Sequence, residues 1–203
     1  EACSYACDHG HVFVIDIGKC KSDSWQVLGL RNLVKRYPEM KFVACHLLAP
    51  SDKDKDKLRQ ALEVLQFPNL WFDLSSLVHN CRPDTYPYLK AIEFIRLAKE
   101  IVGSEKLMFG TDMPSALKED VYEHYVGYID ESPVFTEQEK EQIFYEKGFV
   151  RVQSGYIVNL RHVDRVRYKD VLMNNGECIS ISRERLESLK QKHLEFIRHE
   201  NNL

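Results

Sequence analysis

Large apolar residues gather in four short runs along the first part of the chain: VFVIDIG at residues 12–18, FVACHL at 42–47, LWFDLSS at 70–76 and LMFGTDM at 107–113. Each run is nearly continuous rather than alternating, which is how a strand covered on both faces reads. The stretches between them repeat apolar residues at helical spacing. Ser24 stands as a candidate N-cap before Trp25, Leu28, Leu30, Leu33, Val34 and Tyr37, and Pro38 follows that helix. Residues 52–66 carry Leu58, Ala61, Leu62 and Leu65 behind a DKDKDK lead-in that reads as a solvated first turn. Residues 88–102 carry Leu89, Ile92, Ile95 and Leu97, with Gly103 as the stop. Thr136 and Glu139 have the spacing of a capping box at the head of one more helix. Strand starts about 30 residues apart match one βα unit, so the pattern predicts a parallel α/β sheet, either open or closed into a barrel.

After Gly148 the period changes. Residues 149–160 and 163–168 mix apolar and polar positions as half-buried strands do, and DVLMNNGECISIS reads as a hairpin around Asn174, Asn175 and Gly176. Ser182 is placed to cap a closing helix that carries Leu186, Leu189, Leu194 and Ile197. The expected organisation is therefore residues 1–146 as a four-unit partial (β/α) barrel and residues 147–203 as a small β-rich segment with a C-terminal helix.

Charge sharpens that division. Residues 1–145 hold 17 Lys and Arg against 23 Asp and Glu, whereas residues 146–203 hold 11 against 8, so an acidic body is followed by a basic tail. Such asymmetry between segments points to different partners. No run of 18 apolar residues is present, which argues against a membrane span. The six cysteines (Cys3, Cys7, Cys20, Cys45, Cys81 and Cys178) form no CxxC pair, and residues 1–10 do not read as a secretion signal. Reduced thiols in a cytoplasm are expected.

In parallel α/β folds the chemistry sits at the carboxyl ends of the strands. Polar residues fall there: Asp16, His46, Asp73 with Ser75, and Asp112. Asp112 can bind a metal or take a proton from water, with Gly110 permitting close approach and Pro114 stiffening the exit. His46 can polarise a carbonyl, ligate a metal or shuttle a proton. Asp16 either completes that site or caps its own loop. His9 and His11 precede the first strand and read as loop residues, whereas His79 and Cys81 follow the third and are placed to line a pocket.

LMFGTDMP resembles the FGSDxP strand of the amidohydrolase superfamily, especially its decarboxylase-like branch of metal-dependent TIM-barrel hydrolases, and KFVACHL resembles that branch's hHxG strand. TEQEKEQIFYE resembles the helix near the family's end. The resemblance covers residues 1–145 and the last four of eight barrel strands. It implies that Asp112 is the last-strand Asp that binds metal or activates water, and that His46 is the sixth-strand His that polarises the substrate. Asp16 stands where many members place a metal-binding His, and Leu47 and Leu48 replace a glycine pair. The implied cofactor is one divalent metal such as zinc on Asp112 and Asp16, or none, since some members of this branch work without metal.

GFVRVQSGYIVNL followed by DVLMNNGECISISRERLESLK resembles the second half of a LytTR-type DNA-binding domain of bacterial response regulators. That resemblance implies DNA contacts at Gln153, Ser154 and Arg183, with Arg151, Arg161, Arg165 and Arg167 on phosphates. Asn159 reads as a turn-stabilising residue. Gln153 replaces the family's frequent His.

Three readings stay open. The first is an amidohydrolase-type hydrolase or decarboxylase acting on a small carboxylated or cyclic substrate. The second is a fragment of a DNA-binding transcriptional regulator. The third is an inactive fused or truncated remnant. A half barrel leaves two strand edges open, to be met by a second copy completing the barrel as a homodimer, by another chain, or by formation of an open α/β sheet.

Overall fold

The computed structural model describes residues 5, 11–20, 22–51, 53–145, 149–153 and 156–200; of Tyr145, Phe149, Arg151, Tyr156, Ile157, His199 and Glu200 it describes the backbone alone. Close packing along the chain separates two units, Glu1–Phe135 and Thr136–Leu203.

The first unit carries one parallel sheet in the order β1-β2-β3-β4, formed by Val12–Ile15, Lys41–Ala44, Leu70–Asp73 and Leu107–Met108. Helices α1 (Val27–Arg36), α2 (Lys55–Val64), α3 (Leu77–Asn80) and α4 (Leu89–Val102) lie between the strands, and α5 (Tyr122–Asp130) follows them. Strand neighbours in space are neighbours in sequence, as in successive βα units.

Register explains the apolar runs. Phe42 pairs with Phe13 and Leu70, and Phe72 pairs with Ala44 and Leu107, so these side chains form rows on one face. Phe42, Leu70, Phe72 and Leu107 are buried, as are Leu58, Ala61 and Leu62 of α2 and Ala91, Ile95 and Ala98 of α4. On the opposite face of the edge strand β1, Val12 and Val14 are exposed. Trp71 of β3 shares that face, with the Lys106 ammonium 4.1 Å above its ring.

The strands are shorter than the apolar runs suggest, because the chain turns sharply at their exits. His46, Leu47, Leu48 and Ala49 all have left-handed φ, between 48° and 63°, so the second run ends at Ala44 and His46 lies in a 3-10 turn beyond the strand. Asp112, with φ 61°, lies in a loop four residues past β4 rather than at a strand end. Ser24 caps nothing: α1 begins at Val27, and the Ser24 hydroxyl lies 2.8 Å from that of Ser22 within a preceding turn. Gly103 ends α4 with φ 86°, as its position predicts.

In the second unit α6 (Glu137–Tyr145) opens with the predicted capping box: the Thr136 N–H donates to Glu139 Oε2 at 2.7 Å and the Glu139 N–H to Thr136 Oγ1 at 3.3 Å. Strands β5 (Phe149–Gln153) and β6 (Tyr156–Asn159) form an antiparallel pair. Strands β7 (Val163–Val166), β8 (Asp170–Met173) and β9 (Cys178–Ser180) form a three-stranded antiparallel sheet. The predicted hairpin joins β8 to β9, with Gly176 at φ 86° in its turn. Helix α7 (Leu186–Glu200) closes the unit. Val150, Val152, Val158, Leu160, Val171 and Leu189 make its core. Of the apolar residues expected along α7, Leu186 and Leu189 are buried, but Leu194 and Ile197 are exposed. Ser182 is followed by a 3-10 turn (Arg183–Arg185) and its side chain makes no capping bond. Among the described residues, no helix is long and apolar enough to cross a membrane.

Candidate functional site

The exits of β2, β3 and β4 are tied together by the segment from Asp73 to Ser76. Asp73 ends β3, and its Oδ1 accepts three hydrogen bonds: from the His46 N–H at 3.1 Å, from the Ser75 N–H at 2.8 Å and from the Ser75 hydroxyl. Ser75 in turn meets His46. Its Oγ lies 2.8 Å and its carbonyl oxygen 3.2 Å from His46 Nδ1.

These contacts assign the imidazole tautomer. A carbonyl oxygen only accepts, and the Ser75 hydroxyl proton is already given to Asp73, so Nδ1 must carry the hydrogen. Whenever the ring is neutral, Nε2 therefore presents a lone pair. His46 is built to accept a proton or bind a metal through Nε2, and in this tautomer it cannot donate from that nitrogen.

One residue further on, the Ser76 hydroxyl donates to Asp112 Oδ2 at 2.5 Å. Adjacent serines thus connect His46 on one side and Asp112 on the other. Gly110 is needed where these exits crowd, because a Cβ there would stand 3.0 Å from that of Ser75. His46, Ser76 and Asp112 all hold left-handed φ without being glycine, a conformation that costs of order 1–3 kcal/mol per residue and concentrates at functional loops.

Asp16 follows β1 and is exposed, with its Oδ1 accepting the Gly18 N–H at 2.7 Å. Its connection to the other carboxylates is through charge. Burial first, then the neighbouring Asp73, and then Asp16 and Asp112 push the Cys45 thiol up to about 12. Three carboxylates from three strand exits therefore act on one thiol. Cys45 stays protonated near neutral pH and is neither a nucleophile nor a ready metal ligand.

Asp112 opens onto a cavity of about 90 Å³ shared with Ser76, His79, Ser115 and Glu119. A second cavity of about 260 Å³ shares Glu119 and Tyr125 with it and adds Arg82, Tyr88 and Asp120. Asp120 accepts hydrogen bonds from the Tyr88 hydroxyl, the Val121 N–H and His124, and these hold its carboxyl below the usual range although burial pushes the other way. His79 does line a pocket, as its position predicts; Cys81 is buried and lines neither cavity. Neither cavity is lined by His46 or Asp16. Sequence reasoning passed over Ser76 and Glu119 and left Asp73 and Ser75 outside the candidate site. The polar ending of LWFDLSS is the signal for Asp73, Ser75 and Ser76, and no such run marks Glu119.

The resemblance of the sequence to metal-dependent hydrolases raises the question of a metal. Among the described residues no three His, Cys, Asp or Glu side chains group closely enough to hold one, and a zinc centre takes three or four protein ligands. Asp16 and Asp112 each have one oxygen engaged within the chain. The described rim does not fit a zinc centre by itself.

In the second unit the Ser182 N–H donates to the Val152 carbonyl at 2.9 Å. Gln153 and Arg183, one residue beyond each partner, therefore leave from the same point. Arg183 is exposed and Gln153 half-buried. Ser154 lies outside the described residues, as does the side chain of Arg151. Arg161, Arg165 and Arg167 are exposed, and Arg167 sits 3.6 Å from the Asp170 carboxylate. Asn159 Oδ1 accepts the Arg161 N–H at 3.0 Å and so stabilises its turn, as expected.

Comparison with known proteins finds two families along the chain. A family model described as amidohydrolase matches residues 1–146, and one described as LytTr DNA-binding domain matches residues 136–193. A solved amidohydrolase from Burkholderia multivorans with bound HEPES has a TM-score of 0.60 and 20% identity, covering 70% of this chain and 53% of that one. A second structure under the same description, with bound zinc, has a TM-score of 0.59 and 19% identity over 70% and 52% of the two chains. A probable 2-pyrone-4,6-dicarboxylic acid hydrolase from Acinetobacter baumannii, with citric acid bound, has a TM-score of 0.53 and 16% identity over 70% and 64%. At these identities the likeness is one of fold, and the chain spans about half the length of the first two. No curated protein matches this chain.

Proposed function

Because the chain belongs to the amidohydrolase family, through a match over residues 1–146, we propose that its first unit supplies the acid–base half of a hydrolase or decarboxylase site for a small carboxylated or cyclic substrate. The observation that carries this reading is the Asp73–Ser76 segment, which holds His46 on one side and Asp112 on the other. Asp112 takes one proton from water as the water oxygen bonds to the carbonyl carbon, and His46 Nε2 takes the other when the product carboxylic acid ionises. The description of the Acinetobacter relative, a dicarboxylic acid hydrolase with citric acid bound, supports a carboxylated substrate. The zinc in a Burkholderia relative motivates the expectation of a divalent metal on Asp112 and Asp16. The described donors do not complete such a site. Closure of the sheet by a second copy belongs to the same reading, since β1 and β4 are its edges. Incubation of the purified chain with cyclic carboxylated esters, with product analysis separating hydrolysis from loss of carbon dioxide, tests the reading. Turnover above a heat-inactivated control is expected, and its absence across the panel would count against catalysis by this chain.

The second unit supports a DNA-binding role beside this one, on the observation that one backbone hydrogen bond brings Gln153 and Arg183 to a common edge. Duplex binding is expected to weaken steeply as salt rises. Arg183→Ala is expected to cost about 1–3 kcal/mol if Arg183 reads a base edge. Fluorescence anisotropy across a salt series checks both, and an unchanged affinity in the variant would refute direct readout at Arg183.

A further inference from the structure

The Asp112 cavity contains a histidine, His79, whose surroundings are those of an oriented acid–base group. His79 is carried by α3, and its Nδ1 lies 2.6 Å from Glu119 Oε1. Glu119 follows the 3-10 turn Ser115–Lys118, and its other oxygen, Oε2, is held 2.5 Å from Arg82 Nη2. The carboxylate is thus fixed at both oxygens, by two residues of the connection from β3 to α4. Since an ionised carboxylate only accepts, the hydrogen between His79 and Glu119 belongs to Nδ1, and Nε2 of the neutral ring is the lone-pair nitrogen. The arrangement Arg82–Glu119–His79 sets the tautomer of the imidazole. The same side chains, His79 and Glu119, line the cavity with Asp112 and Ser76.

Resting on the hydrolase reading above, we propose that His79 is a catalytic proton carrier of the Asp112 cavity and that Glu119, clamped by Arg82, is its positioning residue. Water gives a proton to Asp112 while its oxygen bonds to the ester carbonyl carbon. Asp112 passes that proton to His79 Nε2, and His79 passes it to the alkoxide oxygen as the ring C–O bond breaks. The proton count closes, with no oxidant or co-reactant required. The two histidines divide the rim: His46 is fixed by Ser75 against β3, and His79 serves the leaving group.

Two measurements on the full chain test this. Long-range proton–nitrogen NMR of the ¹⁵N-labelled protein is expected to show His79 as the Nδ1–H tautomer, and Glu119→Ala is expected to release it to a mixture of tautomers. A proton on Nε2 in the unmodified chain would overturn the proposal, whatever the enzymatic outcome. With a cyclic carboxylated ester as substrate, His79→Gln is expected to lower kcat roughly 10²–10⁴-fold with KM little changed, and Glu119→Ala to lower it less. Turnover in the unmodified chain that His79→Gln leaves intact also overturns the role of His79. Absence of turnover in the unmodified chain speaks against the hydrolase reading, and the NMR result then decides the Arg82–Glu119–His79 arrangement alone.

Discussion

Asp112→Asn is expected to lower ester turnover by the chain roughly 10²–10⁴-fold, the range typical of losing a positioned general base, while leaving the fold intact. The substitution is unusually clean for physical reasons. Asp112 is exposed, so no buried charge is left behind. Its φ of 61° lies in the left-handed region, where Asn is accommodated as readily as Asp. The amide oxygen can still accept the Ser76 hydroxyl that Asp112 Oδ2 now accepts. What disappears is the negative charge and the ability to take a proton. Initial rates beside urea midpoints separate the two effects: a large drop in rate with an unchanged midpoint is the expected pair. A rate within a few-fold of the original would remove Asp112 from the chemistry.

Phe72→Ala is expected to destabilise the first unit by about 3–5 kcal/mol, the usual cost of deleting a fully buried phenylalanine side chain. Phe72 is 1% exposed on β3, a strand flanked on both sides, and pairs with Ala44 and Leu107. Ala44 is too small to fill the gap, and β4 contributes two residues only, so little can collapse into the void. Loosening β3 also loosens the Asp73–Ser76 segment that follows it. The measurement is selective, because the chain's 2 tryptophans, Trp25 and Trp71, both belong to the first unit. Tryptophan fluorescence in a urea titration therefore follows that unit alone. A midpoint shift worth less than about 1 kcal/mol would show that the site repacks and that the core is less well specified than its burial implies.

The parallel sheet was legible because buried strands write themselves as apolar runs and helices as i, i+3, i+4 repeats. The second unit was legible through its Asn174-Asn175-Gly176 turn. Strand exits were not legible. Leu47 reads as the end of the apolar run at 42–47, yet it and Leu48 adopt left-handed φ and are fully buried. Tertiary packing overrides the local preference of leucine there. Asp112 and His46 were identified by residue type and position. The hub between them was harder to see, since Asp73 and the two serines acquire meaning only when three strand exits are brought side by side. Glu119 and Arg82 were invisible for a similar reason: 37 positions separate them, and only the fold closes that distance. Leu194 and Ile197 have helical spacing but lie on the exposed side of α7, a reminder that periodicity identifies an apolar stripe without naming what covers it.

The central claim is that His46 and Asp112 belong to one site joined through Ser75 and Ser76. A double-mutant cycle on turnover of a cyclic carboxylated ester, using His46→Gln and Asp112→Asn singly and together, tests it most directly. Groups acting as a unit lose their effects together, so the double variant should be no slower, within a few-fold, than the slower single one. Losses that multiply would place the two residues in separate roles and contradict the claim.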